Sequence, residues 1–270
     1  MSAALLTPLI CGDAIKAELR KRRSPYIFKK VTASNPALLK QKVELEEADG
    51  WRIDKKNKKS YRMAQEKPSD EQLEDELWCM LAQMGFKELS LGRQFHISVR
   101  KVLPPRQIDV FGKDDETAVL IECTQSEEPK SKSMIPLIEK LMAIREDIHK
   151  SITTHYGRGA QIKTKLVIAT RNITWRDVDK IKCAESGIAI IADDELEYYK
   201  SLVQILKQAA RYQLLAHLFG GTGIRGLAKK VAAIRGTMGG VKFYNFLIQP
   251  DELLKIAYIG HKASRNIDNI

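Results

Sequence analysis

The chain has 270 residues, of which 44% are hydrophobic, enough for a sizeable core and for more than one domain. Its formal net charge of +11 favours partners that carry phosphate, although a basic, solvated surface gives the same balance. Four cysteines (Cys11, Cys79, Cys123 and Cys183) form no CxxC pair, which speaks against a zinc site or a disulfide scaffold and fits reduced thiols in a cytoplasm.

The first residues run from a short apolar stretch into a basic cluster, the reverse of a secretory signal, and no apolar run has the length of a membrane span. Neither a membrane nor export is expected. Charge is uneven: residues 1–65 carry a net +8, residues 66–200 a net −4 and residues 201–270 a net +7. These three stretches are read as a basic N-terminal region, an α/β domain and a C-terminal α+β segment.

In the first stretch Pro25 ends any helix begun near Asp13. A helix follows from Asn35 as N-cap and Pro36 as first helical residue. Trp51–Ile53 and Tyr61–Met63 flank a polar turn at Asn57 and predict a β-hairpin. Its tip carries Lys55, Lys56, Lys58 and Lys59, which can touch phosphate or simply be solvated.

Pro68 and Ser69 mark a boundary, with Ser69 or Asp70 able to cap the next helix. In that helix Leu73, Leu77, Met80, Leu81 and Met84 share one face, and Gly85 closes it. Strands are predicted at Gln94–Val99, Gln107–Gly112 and Ala118–Thr124, the last two joined by a polar turn and so antiparallel. A helix over Met134–Thr153 comes next. Strand Lys165–Thr170, helix Trp175–Ser186, strand Ile188–Ala192 and a long helix from Asp194 to about Phe219 complete the pattern. This order predicts an α/β fold with a mixed sheet flanked by helices.

Asp109 and Glu122 carry the chemistry. They stand thirteen positions apart on strands joined by a tight turn, so antiparallel pairing brings both carboxylates to one end. Two such groups repel unless a cation sits between them, and oxygen ligands suit Mg²⁺ or Mn²⁺. A cation so held polarises a phosphodiester. The bland alternatives are that Asp109 caps a turn and Glu122 lies on a sheet surface. The five histidines have no zinc-ligand spacing.

An Asp, a turn and an apolar strand with Glu together resemble the core of the PD-(D/E)xK nucleases, and in particular the Mrr-like restriction endonucleases. The helix ending Met84-Gly85-Phe86, with Glu74 eleven positions before Gly85, is similar to that family's first helix. The strand–helix–strand finish up to Glu195-Leu196 is similar too. The resemblance covers about half of the chain. It implies a restriction-endonuclease-like fold and a third metal-site carboxylate at Glu74, which as a residue can equally be a solvated helix glutamate. It also implies DNA as partner and a role in prokaryotic restriction or anti-phage defence, with further partners in a defence operon. Cutting both strands would suit a homodimer.

One departure matters. The family pattern is Glu-x-Lys, and here Glu122-Cys123-Thr124 is followed by Gln125. Gln125 or Thr124 can hold the attacking water instead, a lysine such as Lys130, Lys132 or Lys140 can have migrated, or the domain binds DNA without cutting it.

The C-terminal segment contains Gly221, Gly223 and Gly226 in a G-x-G-x-x-G spacing, but a helix precedes it where the dinucleotide motif needs a strand. It is read as a loop. Lys242–Ile248 leading into Pro250-Asp251-Glu252-Leu253-Leu254 resembles the opening of the DGQHR/DndB-like (ParB-like) domains, whose signature lies further downstream. The chain is therefore expected to be a piece of a longer protein. The leading expectation is a metal-dependent DNA endonuclease; the alternative is a non-catalytic DNA-binding regulator on a degenerate nuclease fold. A lysine reaching the Asp109–Glu122 cleft would favour the enzyme.

Overall fold

The computed structural model describes residues 8–92, 95–97 and 106–219. Strand β1 (Leu9–Cys11) opens the chain, followed by α1 (Asp13–Arg22), β2 (Tyr26–Thr32), α2 (Pro36–Ala48), β3 (Arg52–Asn57) and β4 (Ser60–Glu66). Then come α3 (Ser69–Gln83), β5 (Glu88–Ser90), β6 (Phe95–Ile97), β7 (Arg106–Ile108), β8 (Val110–Lys113) and β9 (Thr117–Ser131). Helix α4 (Ile135–Tyr156), β10 (Lys163–Thr174), α5 (Asp177–Glu185), β11 (Ala189–Ile191), α6 (Asp193–Leu206) and α7 (Ala210–Phe219) follow.

Six strands form the main sheet in the order β1-β5-β8-β9-β10-β11. The β1, β5, β8 and β9 neighbours pair antiparallel, and β9, β10 and β11 pair parallel. This is the mixed sheet that the element order predicts. Side chains alternate between its faces. Val110, Val119, Ile121, Val167 and Ala169 pack in the layer of α3, α6 and α7, whereas Phe111, Ala118, Leu120, Leu166 and Ile168 pack in that of α4 and α5. Helices thus cover both faces, as parallel strands buried on both sides require. Helix α3 lies tight on the hairpin: a Cβ on Gly112 would meet Leu81 Cδ1 at 2.8 Å.

A second sheet, in the order β2-β4-β3, carries α2 on one face. Its hairpin is the predicted one, with the turn at Lys58 and Lys59. Asn35 caps α2 as expected, its Oδ1 accepting the Leu38 amide at 2.8 Å. Strand β1 and helix α1 belong with the main body instead: β1 is an edge strand of the large sheet, and Ile15 joins the α3 core.

Several local expectations change. The stretch expected as one strand over Gln107–Gly112 is two, because Asp109 is a bend between β7, which pairs with β6, and β8, which pairs with β5 and β9. Strands β9 and β10 run several residues past their predicted ends, held together by Asn172, whose side chain donates to the Ser126 and Glu127 carbonyls. The expected long helix breaks at Lys207, at φ 50°, into α6 and α7. Pro68 occupies the N-cap of α3, with no side-chain cap; Ser69 is already helical. The glycine-rich loop and the DGQHR-like segment lie outside the described residues. Among the described residues no helix is long and apolar enough to cross a membrane.

Candidate active site

Strand alternation decides where Glu122 points. Ala118 and Leu120 face the α4 layer, and Glu122 continues that row at its open end, 6% exposed. Lys140, one turn into α4, reaches it from above: its Nζ donates to Glu122 Oε2 at 3.4 Å. The other oxygen, Oε1, is buried and accepts no hydrogen bond among the described residues. Asp109 stands at the β7–β8 bend, next to the Val110–Ile121 pair in the ladder and therefore beside Glu122. Its Oδ2 accepts the Cys123 amide at 2.7 Å, which ties the two strands together at the carboxylates.

The electrostatics are those of a crowded acidic site. Burial pushes Asp109 above the usual carboxylate range and Asp70 adds to the rise, while the Cys123 amide and Lys140 hold it down. Burial first and the Asp109 charge second push Glu122 up to about 7, with Lys140 opposing. Asp109 ionises first because an amide stabilises its anion, and Glu122 keeps its proton towards neutrality. The Cys123 thiol is pushed far up, by burial and then by the charges of Asp109, Glu74 and Glu122.

Asp109, at the bend just before the β8–β9 ladder, and Glu122, just past the Val110–Ile121 pair, are brought together. Glu74 lies on α3, on the opposite face of the sheet, and its charge is felt at Cys123. Among the described residues no three His, Cys, Asp or Glu side chains gather closely enough to form a metal-ligating group. Two carboxylates, one with an oxygen that nothing in the fold satisfies, nevertheless suit a hard divalent cation, since Mg²⁺ commonly takes one or two protein carboxylates and keeps several waters.

Thr124 shares the face of Glu122, and Lys132 Nζ lies 3.4 Å from its Oγ1. Gln125 alternates to the other face, paired in the ladder with Arg171, away from Glu122. Lys130 is exposed on the far end of β9. Of the three downstream lysines, then, Lys140 is the one at the carboxylate. Only the turn of α4 over the sheet selects it, and no local spacing in the sequence carries that signal. The hairpin lysines also separate: Lys55 lies on the face of the small sheet away from α2, Lys56 lies beside Tyr61 on the α2 side, and Lys58 and Lys59 form the tip.

No protein-family model and no curated protein matches the chain. Solved structures similar to it include protein VC1899 from Vibrio cholerae, at 14% identity and a TM-score of 0.36, over 71% of this chain and 49% of that one. Another is Can2 from Sulfobacillus thermosulfidooxidans in complex with cyclic tetra-adenylate, at 18% identity and a TM-score of 0.34, over 49% of this chain and 34% of that one. A third is a protein of unknown function, AF1548, at 16% identity and a TM-score of 0.31, over 66% of this chain and 92% of that one. The chain spans less than half the length of the first two.

Proposed function

We propose that the chain hydrolyses DNA phosphodiesters with the help of Mg²⁺ or Mn²⁺ at Asp109 and Glu122, as an endonuclease of a prokaryotic restriction or anti-phage system. The observation that carries the reading is the ammonium of Lys140 at 3.4 Å from Glu122 Oε2. It restores, from a helix, the cation that the Glu-x-Lys pattern supplies from the strand. The restriction or defence role rests on the Mrr-like resemblance, as do a dimer and operon partners.

The two carboxylates of Asp109 and Glu122 would hold the cation. A cation bound there supplies Lewis-acid polarisation of the phosphodiester. Lys140 has 45% of its side chain exposed, so its ammonium can leave Glu122 for a phosphate oxygen or orient a water. There it offsets the negative charge that grows as the phosphorus is attacked. Thr124, tethered by Lys132, lines the same face and can hold a water. Glu74 would add negative charge from the α3 side, where it is felt at Cys123.

Plasmid cleavage in Mg²⁺ and in Mn²⁺ tests this. The wild-type protein should nick or cut, and Asp109→Ala and Glu122→Ala should abolish cleavage while DNA binding and fold survive. DNA affinity should also fall steeply with added salt, because lysines and arginines carry it. Wild-type protein that binds DNA but cuts nothing with either metal would favour the DNA-binding regulator. Undiminished cleavage by Asp109→Ala would place the chemistry elsewhere.

A further inference from the structure

The small sheet has one face covered by α2 and one open. Lys29, Val31, Ile53, Tyr61 and Met63 lie on the α2 side, with Trp51 beside them. The alternate residues lie on the other side, and their register is given by the ladder. One row across three strands is Lys30, Arg62 and Lys55; the next is Phe28, Ala64 and Arg52. Tyr26 lies one step further, opposite Glu66.

The first row sets three cations side by side. Like charges directly opposite one another destabilise a sheet. Asp54, at the bulge of β3, pairs with Arg62; Lys30 and Lys55 flank it, both exposed. The second row exposes an aromatic ring. Phe28 is 43% exposed and is the one aromatic among the exposed large apolar side chains of the described residues. Guanidiniums stand over both rings, Arg62 at 4.9 Å from the Phe28 centroid and Arg52 at 4.3 Å from that of Tyr26. Ala64 between them is 3% exposed, covered by the side chains around it.

Rings and guanidinium planes on an open sheet, beside a row of phosphate-sized positive charges, are the parts that hold an unpaired strand. Unstacked bases lie on aromatic and Arg planes while the backbone follows the cations. In a duplex the bases are already stacked and cannot use the rings. The geometry points to this face as a platform for single-stranded nucleic acid, with Phe28 and Tyr26 and the Arg62 and Arg52 planes over them taking bases and Lys30 and Lys55 taking phosphates. This deepens the nucleic-acid reading above and rests on it, but it does not require cleavage. The placement suits delivery of a strand to the candidate site. Strand β4 leaves the platform through Lys67 and Pro68 straight into α3, whose first turn is close enough for Asp70 to act on Asp109.

The test is fluorescence anisotropy with labelled twelve-nucleotide dT and rU strands, a matching duplex and an abasic strand, all in EDTA so that no cutting intervenes. Phe28→Ala should weaken binding of the dT or rU strand by about ten- to a hundredfold and leave the duplex within about twofold. Phe28→Trp should retain binding. Wild-type protein should bind the abasic strand no better than Phe28→Ala does. The dT and rU arms decide between DNA and RNA. Equal losses for strand and duplex, or none, would overturn the platform, as would a dimer in solution that Phe28→Ala dissociates. Failure here with cleavage still dependent on Asp109 would leave the catalytic reading standing.

Discussion

Two buried acidic residues in this fold are treated in opposite ways. Asp75 of α3, 3% exposed, faces Arg22 Nη1 at 3.1 Å and Lys67 Nζ at 2.7 Å, each oxygen with its own cation. Lys67 also donates to the Arg22 carbonyl at 2.9 Å, and Arg22 lies over the Trp78 ring at 4.7 Å. Glu122 is nearly as buried and has one half-exposed lysine at 3.4 Å, a neighbouring carboxylate and an oxygen with no hydrogen bond among the described residues. The first cluster closes on itself and clamps α1, the end of the small sheet and α3 together. The second is left incomplete, as a site that must accept a cation and a phosphate would be.

Breaking the closed cluster should have the largest effect. Asp75→Ala leaves Lys67 with backbone carbonyls and Arg22 with Glu18 as remaining partners, and loss of one member of a buried pair costs about 3–5 kcal/mol. Urea unfolding should show that loss. Lys67→Met should cost nearly as much, since it also leaves the Arg22 carbonyl without its donor. A loss under about 1 kcal/mol for both would mean that the clamp is ornamental and the contrast with Glu122 false.

Glu122 should respond in the opposite direction, and with a pH dependence. Its carboxyl is pushed from the usual 4.5 up to about 7 in the folded chain. As pH rises from 4.5 to 7 the unfolded chain releases this proton and the folded chain keeps it, so wild-type stability falls through that window and is level above it. Glu122→Gln lacks the penalty. The variant should match wild type near pH 4.5 and exceed it by roughly 2–3 kcal/mol at pH 8 without metal. Thermal melts at the two pH values check this. Added Mg²⁺ should narrow the gap by stabilising the wild type alone. A variant less stable than wild type at pH 8 would make Glu122 a structural residue like Asp75.

Much of this was legible in the sequence because it depends on local period and turn chemistry. The face of Leu73, Leu77, Met80, Leu81 and Met84 follows from helical spacing, and all five are buried. The β8–β9 hairpin follows from its polar turn, which brings Asp109 beside Glu122. What the sequence did not show are contacts made by distant elements. Whether Lys130, Lys132 or Lys140 serves Glu122 depends on how α4 crosses the sheet, eighteen positions downstream of Glu122 for the lysine that does. The Arg22–Asp75–Lys67 clamp joins residues 53 and 8 positions apart in charge-rich segments that read as solvated. The break at Asp109 and the split of the last helix at Lys207 are backbone events that hydrophobic pattern does not encode.

The smallest stability effect, and the sharpest comparison, is expected at Lys140. Lys67 and Lys140 each face a buried carboxylate, but the side chain of Lys67 is 7% exposed and that of Lys140 is 45% exposed. Lys140→Met removes a partly solvated ion pair of the kind that contributes about 1 kcal/mol or less. The carboxylate left behind also has a way out that Asp75 lacks. Glu122 already holds its proton towards neutrality and can keep it to a higher pH once Lys140 no longer opposes the rise. Urea midpoints should therefore hardly move. Cleavage is another matter, because in the proposed reaction the charge that Lys140 would offset exists only while phosphorus is attacked. Loss of one such group typically costs about 10²–10³-fold in rate. Lys140→Met should stay folded, bind DNA and cut it about a hundredfold more slowly, with Lys140→Arg recovering part of the rate. A variant that unfolds as readily as Lys67→Met would make Lys140 a second structural clamp, and the candidate site would lose its lysine.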